Sequence, residues 1–351
     1  MEATLYNYFL LCGIPFIGVI ILTPLLAKSA LYLKIIDYNM LHKNHGEPKP
    51  LLGGVGIFLC FAVTLFLFLP VSGKLLSLVL ATVIISLIGI IDDIYALRPL
   101  LKLIGQTVAA SIVVLWDTSL YTVLLEYFAR LYLPNYFVLA LIIGWIVLMV
   151  NAFNMIDGLD GLSAGTAAII FLAMAVLSLL EGGRFTVLAV QLIGFGACLG
   201  FLIFNFHPAK IFMGDTGSML LGFVLAVTHL YTIKFPFSAQ LVLGSMFIFA
   251  YPALDITYAI FRRFVKGVSI FQADRGHIHH VLLSFGFSVR KTVLIIYLIN
   301  IIFAFLAVLL LSFNIATPLL LIIFVITAVL VLLLFNKLLI ISRQNGIADE
   351  P

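Results

Sequence analysis

Residues 137–161 read FVLALIIGWIVLMV and then NAFNMIDGLDG. The first part is an unbroken apolar run; the second places Asn151, Asn154, Asp157 and Asp160 at every third position, with Gly158 and Gly161 loosening the backbone beside the acids. A run of that kind predicts a helix in lipid, and ionisable groups at membrane depth are costly and usually functional. Asn and Asp also favour helix caps, so a polar loop with a cap is the plain alternative.

Working outward, the same apolar character fills the chain. Of 351 residues, 64% are hydrophobic and 10% charged, against about 25% charged in soluble domains. Open strands cannot satisfy their backbone in lipid, and the alternating segments of a closed barrel are absent, so the expected fold is all-α and polytopic. Apolar runs near 6–27, 51–70, 75–91, 100–116, 135–150, 163–180, 186–204, 217–233, 238–261, 292–312 and 315–336 predict about eleven transmembrane helices. The first run lacks a basic leader and a small-residue cleavage site and reads as a span. No domain boundary or internal repeat is visible, so residues 1–351 are read as one transmembrane domain. Cys12, Cys60 and Cys198 lie singly in apolar runs and suggest neither disulfides nor zinc.

The basic residues orient these spans. With the N-terminus outside and the C-terminus cytoplasmic, fifteen of the nineteen Lys and Arg residues fall inside. Cytoplasmic loops are then expected near 28–50, 92–99, 151–162, 205–216 and 262–291. Asp92 and Asp93 end the third span, Asp157 and Asp160 follow the fifth, Asp215 follows the seventh, and Asp274, His277, His279 and His280 follow the ninth. All come after odd-numbered spans, so all reach one face. That parity predicts a single cytoplasmic site.

Each cluster has its own chemistry. Adjacent carboxylates such as Asp92 and Asp93 repel unless a cation or proton separates them; a solvated helix end is the alternative, although acids are unfavourable at a helix C-terminus. In Phe212-Met-Gly-Asp215-Thr-Gly-Ser, Asp215 offers an oxygen ligand for Mg²⁺ beside a helix N-terminus able to face phosphate, or it simply caps that helix. In Asp274-Arg275-Gly-His277-Ile-His279-His280, Arg275 suits a phosphate or sugar fork. Three histidines hint at zinc, but the other donors are oxygens, which favour Mg²⁺ or Mn²⁺. The histidines then bind phosphate, orient a loop or move a proton. Lys34, His42, Lys43, His45 and Lys49 suit lipid headgroups or phosphate, or only mark topology. Lys102 and Gln106 can face the acids. Asp255, after Pro252, is expected in a structural ion pair with Arg262 or Arg263. His229 reads as structural.

Taken together, these segments resemble the polyprenyl-phosphate N-acetylhexosamine-1-phosphate transferase family, of glycosyltransferase 4 type. The likeness rests on Asp92-Asp93-Ile-Tyr-Ala-Leu with Lys102 and Gln106, on Asn151-x-x-Asn154-x-x-Asp157-Gly-Leu-Asp160-Gly-Leu, on Phe212-Met-Gly-Asp215-Thr-Gly-Ser and on His277-Ile-His279-His280. It covers nearly the whole chain. The H-I-H-H form after Arg275-Gly276 is similar to the undecaprenyl-phosphate N-acetylglucosamine 1-phosphate transferase branch, which starts O-antigen, common antigen or teichoic acid assembly. The branch using UDP-N-acetylmuramoyl-pentapeptide tends to carry three consecutive histidines after a proline. Ala96 stands where some members carry a third acid.

The resemblance implies transfer of N-acetylglucosamine 1-phosphate from UDP-GlcNAc to polyprenyl phosphate, releasing UMP, with Mg²⁺ (or Mn²⁺) as cofactor. It implies Asp215, Asp92 and Asp93 as metal ligands or phosphate-positioning groups, and Asp92, Asp93, Asp157, Asp160, His279 and His280 as the catalytic set. Lys102, Asn151, Asn154, Asp157, Phe212, Arg275, His277 and His279 would bind substrate, Phe212 by stacking on uridine. The partners implied are the nucleotide sugar, the lipid phosphate and the bilayer of the inner membrane, with no nucleic acid; a homodimer is compatible. A secondary transporter is the rival class, but it calls for mid-bilayer acids and paired broken helices, which this sequence lacks.

Overall fold

The computed structural model describes residues 5–37, 49–117, 122, 125, 132–233, 239–269, 276–313 and 315–344. Among them there are helices and no strand, only an isolated bridge between Ile36 and Pro50. Ten helices are long and apolar enough to cross a membrane. Each matches one of the expected runs. The remaining expected run, 51–70, forms a shorter apolar helix of 16 residues. The chain is a multi-pass membrane protein. Where the sequence showed no boundary, the residues group into two units, Met1–Pro236 and Phe237–Pro351.

The first unit holds α1 (Leu5–Leu33), α2 (Gly53–Phe68), α3 (Gly73–Tyr95), α4 (Pro99–Trp116), α5 (Asn135–Ile156), α6 (Leu162–Leu180), α7 (Phe185–Asn205) and α8 (Gly214–Ile233). Its centre is α8, buried along nearly all its length and touched by α2, α3, α5, α6 and α7. Lipid supplies no hydrophobic drive between helices, so tight packing must hold them, and small residues permit it. A Cβ on Gly196 or Gly200 of α7 would come within 2.1 Å and 2.5 Å of the Cys12 and Phe16 carbonyls of α1. One on Gly54 would strike the Gly217 nitrogen at 2.2 Å, so α2 meets the start of α8 backbone to backbone. There the Gly53 and Gly54 N–H groups donate to the Phe212 and Met213 carbonyls at 3.1 and 2.9 Å.

The second unit holds α9 (Ala239–Met246), a 3₁₀ turn (Phe247–Phe249), α10 (Ala250–Val265), α11 (Ile278–Ser284), α12 (Val289–Ser312) and α13 (Thr317–Gln344). The expected span 238–261 is therefore one apolar stretch with a joint in it. Pro252 has no N–H to give the carbonyl four residues earlier and its ring crowds that carbonyl, so the preceding turn is 3₁₀. Few described side chains of α13 are buried, as suits a helix facing lipid tails.

Candidate active site

Most of the residues expected in loops sit on helix ends. Asp92 and Asp93 lie in the last turn of α3, Asn151 and Asn154 in the last two turns of α5, and Asp157 caps α5; Asp215 opens α8. The structure brings these ends together within the first unit, although they come from stretches over a hundred residues apart.

Lys102, in the first turn of α4, is the hub. Its Nζ meets Asp215 Oδ2 at 2.7 Å and also contacts Asp92 Oδ2. The other Asp92 oxygen accepts from the Leu97 N–H at 2.6 Å, which fixes the turn between α3 and α4. Asp93 is engaged differently. Its Oδ1 accepts from the Asp215 N–H at 2.7 Å, and its Oδ2 accepts from the Thr216 N–H at 3.2 Å and the Thr216 hydroxyl at 2.7 Å. It is an N-cap for α8 supplied by α3, and it brings a negative charge to the positive end of that helix. The arrangement also explains how two acids are tolerated at the C-terminus of α3: one meets a lysine and the other a helix N-terminus. Gly214 makes the junction feasible. Its φ is +70°, and a Cβ there would lie within 2.5 Å of the Asp93 carboxylate.

From α5, Asn151 donates to Gln106 Oε1 at 2.7 Å and to the Val147 carbonyl at 2.8 Å, while Asn154 donates to the Ser218 hydroxyl at 3.2 Å. Gln106 thus faces Asn151 and not the acids. Asp157 stands apart: its N–H donates to the Asn154 carbonyl at 3.4 Å, but among the described residues its carboxylate has no hydrogen bond or ion pair. Burial, together with the negative charges of Asp215, Asp93 and Asp160, pushes its carboxyl well above the usual range. A fourth carboxyl is therefore held where its neighbours' negative charges oppose its ionisation and no counter-charge answers it.

Asp160 is an organiser. One of its oxygens meets His207 Nδ1 at 2.8 Å, the Ala209 N–H at 2.9 Å and Lys49 Nζ at 3.7 Å. Asn205 supports the same loop, accepting from the Gly161 N–H at 3.0 Å and donating to the Ile211 carbonyl at 3.0 Å. Neither His207 nor Asn205 was singled out from sequence; the polar N-F-H-P run after an apolar span was the available signal. Phe212 is partly exposed, and Lys49 Nζ lies 5.1 Å from its ring centre. Of the other basic residues noted there, His42, Lys43 and His45 lie outside the described residues.

The histidine motif belongs to the second unit. His277, His279 and His280 flank and open α11. The rings of His277 and His279 are nearly parallel at 5.8 Å, and those of His279 and His280 tilt at 4.2 Å. Burial first, and then the charge that would build on His280, holds the His279 imidazole down to about 3. Asp255 does not pair with Arg262 or Arg263 as expected. Its partner is His277 Nδ1 at 2.7 Å, while Arg262 donates to the Gly276 carbonyl at 3.1 Å. Sequence spacing along one helix favoured the arginines; the chain reversal after α10 brings His277 instead. Arg275 and Asp274 lie outside the described residues.

Among the described residues no three His, Cys, Asp or Glu side chains close on one point as a ready metal cage. The arrangement is instead a lysine between two carboxylates, a third carboxylate spent as a cap and a fourth without a counter-charge.

Comparison with known proteins agrees with this layout. The profile of glycosyl transferase family 4 matches residues 75–233, from α3 through α8. A Bacillus subtilis protein named probable undecaprenyl-phosphate N-acetylglucosaminyl 1-phosphate transferase is 35% identical over 95% of this chain and 90% of its own length. The decaprenyl-phosphate N-acetylglucosaminephosphotransferase of Mycobacterium tuberculosis is 37% identical over 72% of this chain and 70% of its own. The undecaprenyl-phosphate alpha-N-acetylglucosaminyl 1-phosphate transferase of Escherichia coli O157:H7 is 30% identical over 77% and 74%. Likeness at that level along nearly the whole chain, with the acids and the lysine on converging helix ends, shows that this protein belongs to glycosyl transferase family 4.

Proposed function

We propose that this chain transfers N-acetylglucosamine 1-phosphate from UDP-GlcNAc to a polyprenyl phosphate at the cytoplasmic face of the inner membrane. A phosphate oxygen of the lipid attacks the β-phosphorus. The bond between that phosphorus and the oxygen bridging to the α-phosphate breaks, UMP leaves with that oxygen, and GlcNAc-diphospho-polyprenol remains in the membrane. The observation that carries this reading is Lys102, held between Asp92 and Asp215 beside the unpaired Asp157. The names of the related proteins support the sugar and the lipid class.

The acceptor is a phosphate monoester with its second pKa near 6, so at pH 7 most of it is already a dianion. A strong general base is scarcely needed. The larger obstacle is the approach of two anions, and cations answer it. Lys102 is one, able to turn from a carboxylate to a phosphate. The donor set fits Mg²⁺ (or Mn²⁺) as another: the oxygens are hard, and Mg²⁺ usually takes one or two carboxylates with phosphates and water completing its shell. Asp215 would hold it, with Asp92 beside it, and it would supply charge neutralisation at the phosphates. Asp93 contributes by fixing the backbone that carries Asp215. Asn151, Asn154, Asp157 and Phe212 would line the nucleotide site.

Membranes containing the protein, given radiolabelled UDP-GlcNAc or UDP-MurNAc-pentapeptide with undecaprenyl phosphate, test this. The expected result is UMP and a lipid-linked GlcNAc of the matching mass from the first donor only. Product from the pentapeptide donor alone would transfer the assignment to the muramoyl branch. A phosphorylated aspartate trapped with UDP-GlcNAc in the absence of lipid would overturn direct displacement.

A further inference from the structure

At the ends of α3, α7 and α8 away from the acids, a cavity of about 120 Å³ lies between these helices and the residues just after α2. Helix register gives its depth. Lys74 stands in the first turn of α3, Arg184 caps the start of α7, and Tyr231 is in the last turn of α8. These positions are level with the helix ends, where a bilayer has its headgroups and where tyrosine is common. The apolar lining comes from further in: Leu78 on α3, Val187 and Val190 on α7, and Val227 on α8. A helix rises about 1.5 Å per residue, so Val190 lies roughly 9 Å below Arg184 along α7. A second, polar chamber of about 50 Å³ adjoins the first. It shares Lys74, Thr186 and Tyr231 with it and adds Ser178, Arg184 and Thr232.

The two chambers together are amphipathic, apolar below and basic at the rim. Lys74 is half-exposed and lies 3.1 Å from the buried Asp117, which also accepts from the Tyr231 hydroxyl. Asp117 offsets Lys74, and Arg184 adds a second positive charge; no acid is among the described residues that line either chamber. An apolar cavity of roughly 150 Å³ takes up one benzene-sized molecule, so the deeper chamber holds several methylenes of one chain and not a whole lipid. A sugar or nucleotide would leave that chamber empty, and an uncharged chain would leave the rim unused. We propose that this end of the first unit binds one bilayer phospholipid with an anionic headgroup. Its phosphate meets Lys74 and Arg184, the upper methylenes of one acyl chain fill the apolar chamber, and the rest of that chain runs on in the bilayer. Lipid tails are already out of water, so the apolar chamber supplies shape, while the preference for this lipid comes from the basic rim. The proposal depends neither on the sugar transferred nor on which leaflet the acids face.

The test uses the full chain in phosphatidylcholine nanodiscs doped with a phosphatidylglycerol that carries a diazirine high on one acyl chain. After photolysis, peptides around Leu78 and Val190 should carry the label well above those of the lipid-facing α13. Unlabelled phosphatidylglycerol should compete it away, and undecaprenyl phosphate should not. A phosphatidylcholine with the same diazirine should not concentrate there. Arg184→Gln, at an exposed position, should lower the labelling about fivefold, the weight of one basic residue beside an anionic lipid. Val190→Phe should abolish it by filling the apolar chamber. Equal labelling of α13 would mean contact with the surrounding lipid only and would overturn the proposal. So would equal labelling by the phosphatidylcholine probe, or labelling of Arg184→Gln as strong as that of the unsubstituted chain. Stronger competition by undecaprenyl phosphate would give the chamber to that lipid and overturn it as well. The probe comparison and Arg184→Gln decide the matter even where Val190→Phe does not fold.

Discussion

The two ends of α3, α4 and α8 are built from the same materials. At one end Lys102 meets Asp92 and Asp215, with Asp93 and Asp157 in the same field. At the other end Lys74 meets Asp117 at 3.1 Å, and the Tyr231 hydroxyl donates to Asp117 at 3.0 Å. Among the described residues the second arrangement sets one acid against one lysine and a phenol, and it does what such pairs usually do, satisfying a buried carboxylate where helices converge. The first carries more acid than its lysine can answer. A cavity of about 120 Å³ opens at the matched end, lined by Leu69, Leu75, Leu78, Val190 and Tyr231 among others. On the reaction proposed above, what separates the two ends is neither an ion pair nor a cavity but acid that no lysine answers. Burying it is expensive, and it persists where a cation supplies the missing positive charge.

The comparison breaks first at Asp215. Asp215→Asn should lower UMP release by at least ~100-fold, about 3 kcal/mol of lost charge stabilisation. Near-normal turnover at saturating Mg²⁺ would remove the acid end from the reaction. Lys102→Gln sharpens the picture, because it should move two quantities in opposite directions. The acid end becomes more negative, so KM for UDP-GlcNAc should rise about tenfold while the Mg²⁺ concentration giving half-maximal rate falls. A parallel shift of both would mean that the lysine serves only the fold.

Asp157 tests the excess charge directly. Its carboxyl titrates above the ordinary range in the folded chain, so ionising it there costs stability. That stability is complete below the usual aspartate value, near ~3.9, and is lost as pH rises through the raised one. Thermal midpoints without divalent cation should therefore fall with rising pH in the unsubstituted protein and less so in Asp157→Asn, the variant being the more stable at neutral pH. Equal slopes would show that the charge is already answered. The smallest effect belongs to the matched end. Tyr231→Phe should cost about 1 kcal/mol of stability by removing one hydrogen bond to Asp117 and leave turnover unchanged. A large loss of activity would make the two ends functionally alike.

Much of the site was legible along the chain. Asp92, Asp157 and Asp215 were named from their position after apolar runs and Lys102 from its spacing to Asp92, and the four helix ends that carry them do converge in the first unit. What could not be read was how each acid is used. Asp93 and Asp92 are neighbours in sequence, yet one caps α8 and the other holds a lysine, since successive helical residues point about 100° apart and meet different neighbours. Asp255 offered two arginines at helical spacing; its partner lies across a loop. The start of α8 was placed at 217 and falls at Gly214, because the cap that starts it comes from α3. The joint between α9 and α10 hid inside a uniformly apolar run, marked only by Pro252.

By itself the sequence determined where the long apolar helices lie, because a segment in lipid must satisfy its own backbone and so advertises itself locally through hydropathy. It also carried the motifs that place the chain in its family. Tertiary structure alone decided which carboxylate is a cap, which is paired and which is left without a counter-charge. Those outcomes depend on contacts between helix ends over a hundred residues apart, set by how closely backbones pack at Gly54, Gly217 and Gly214, and no local pattern records that distance.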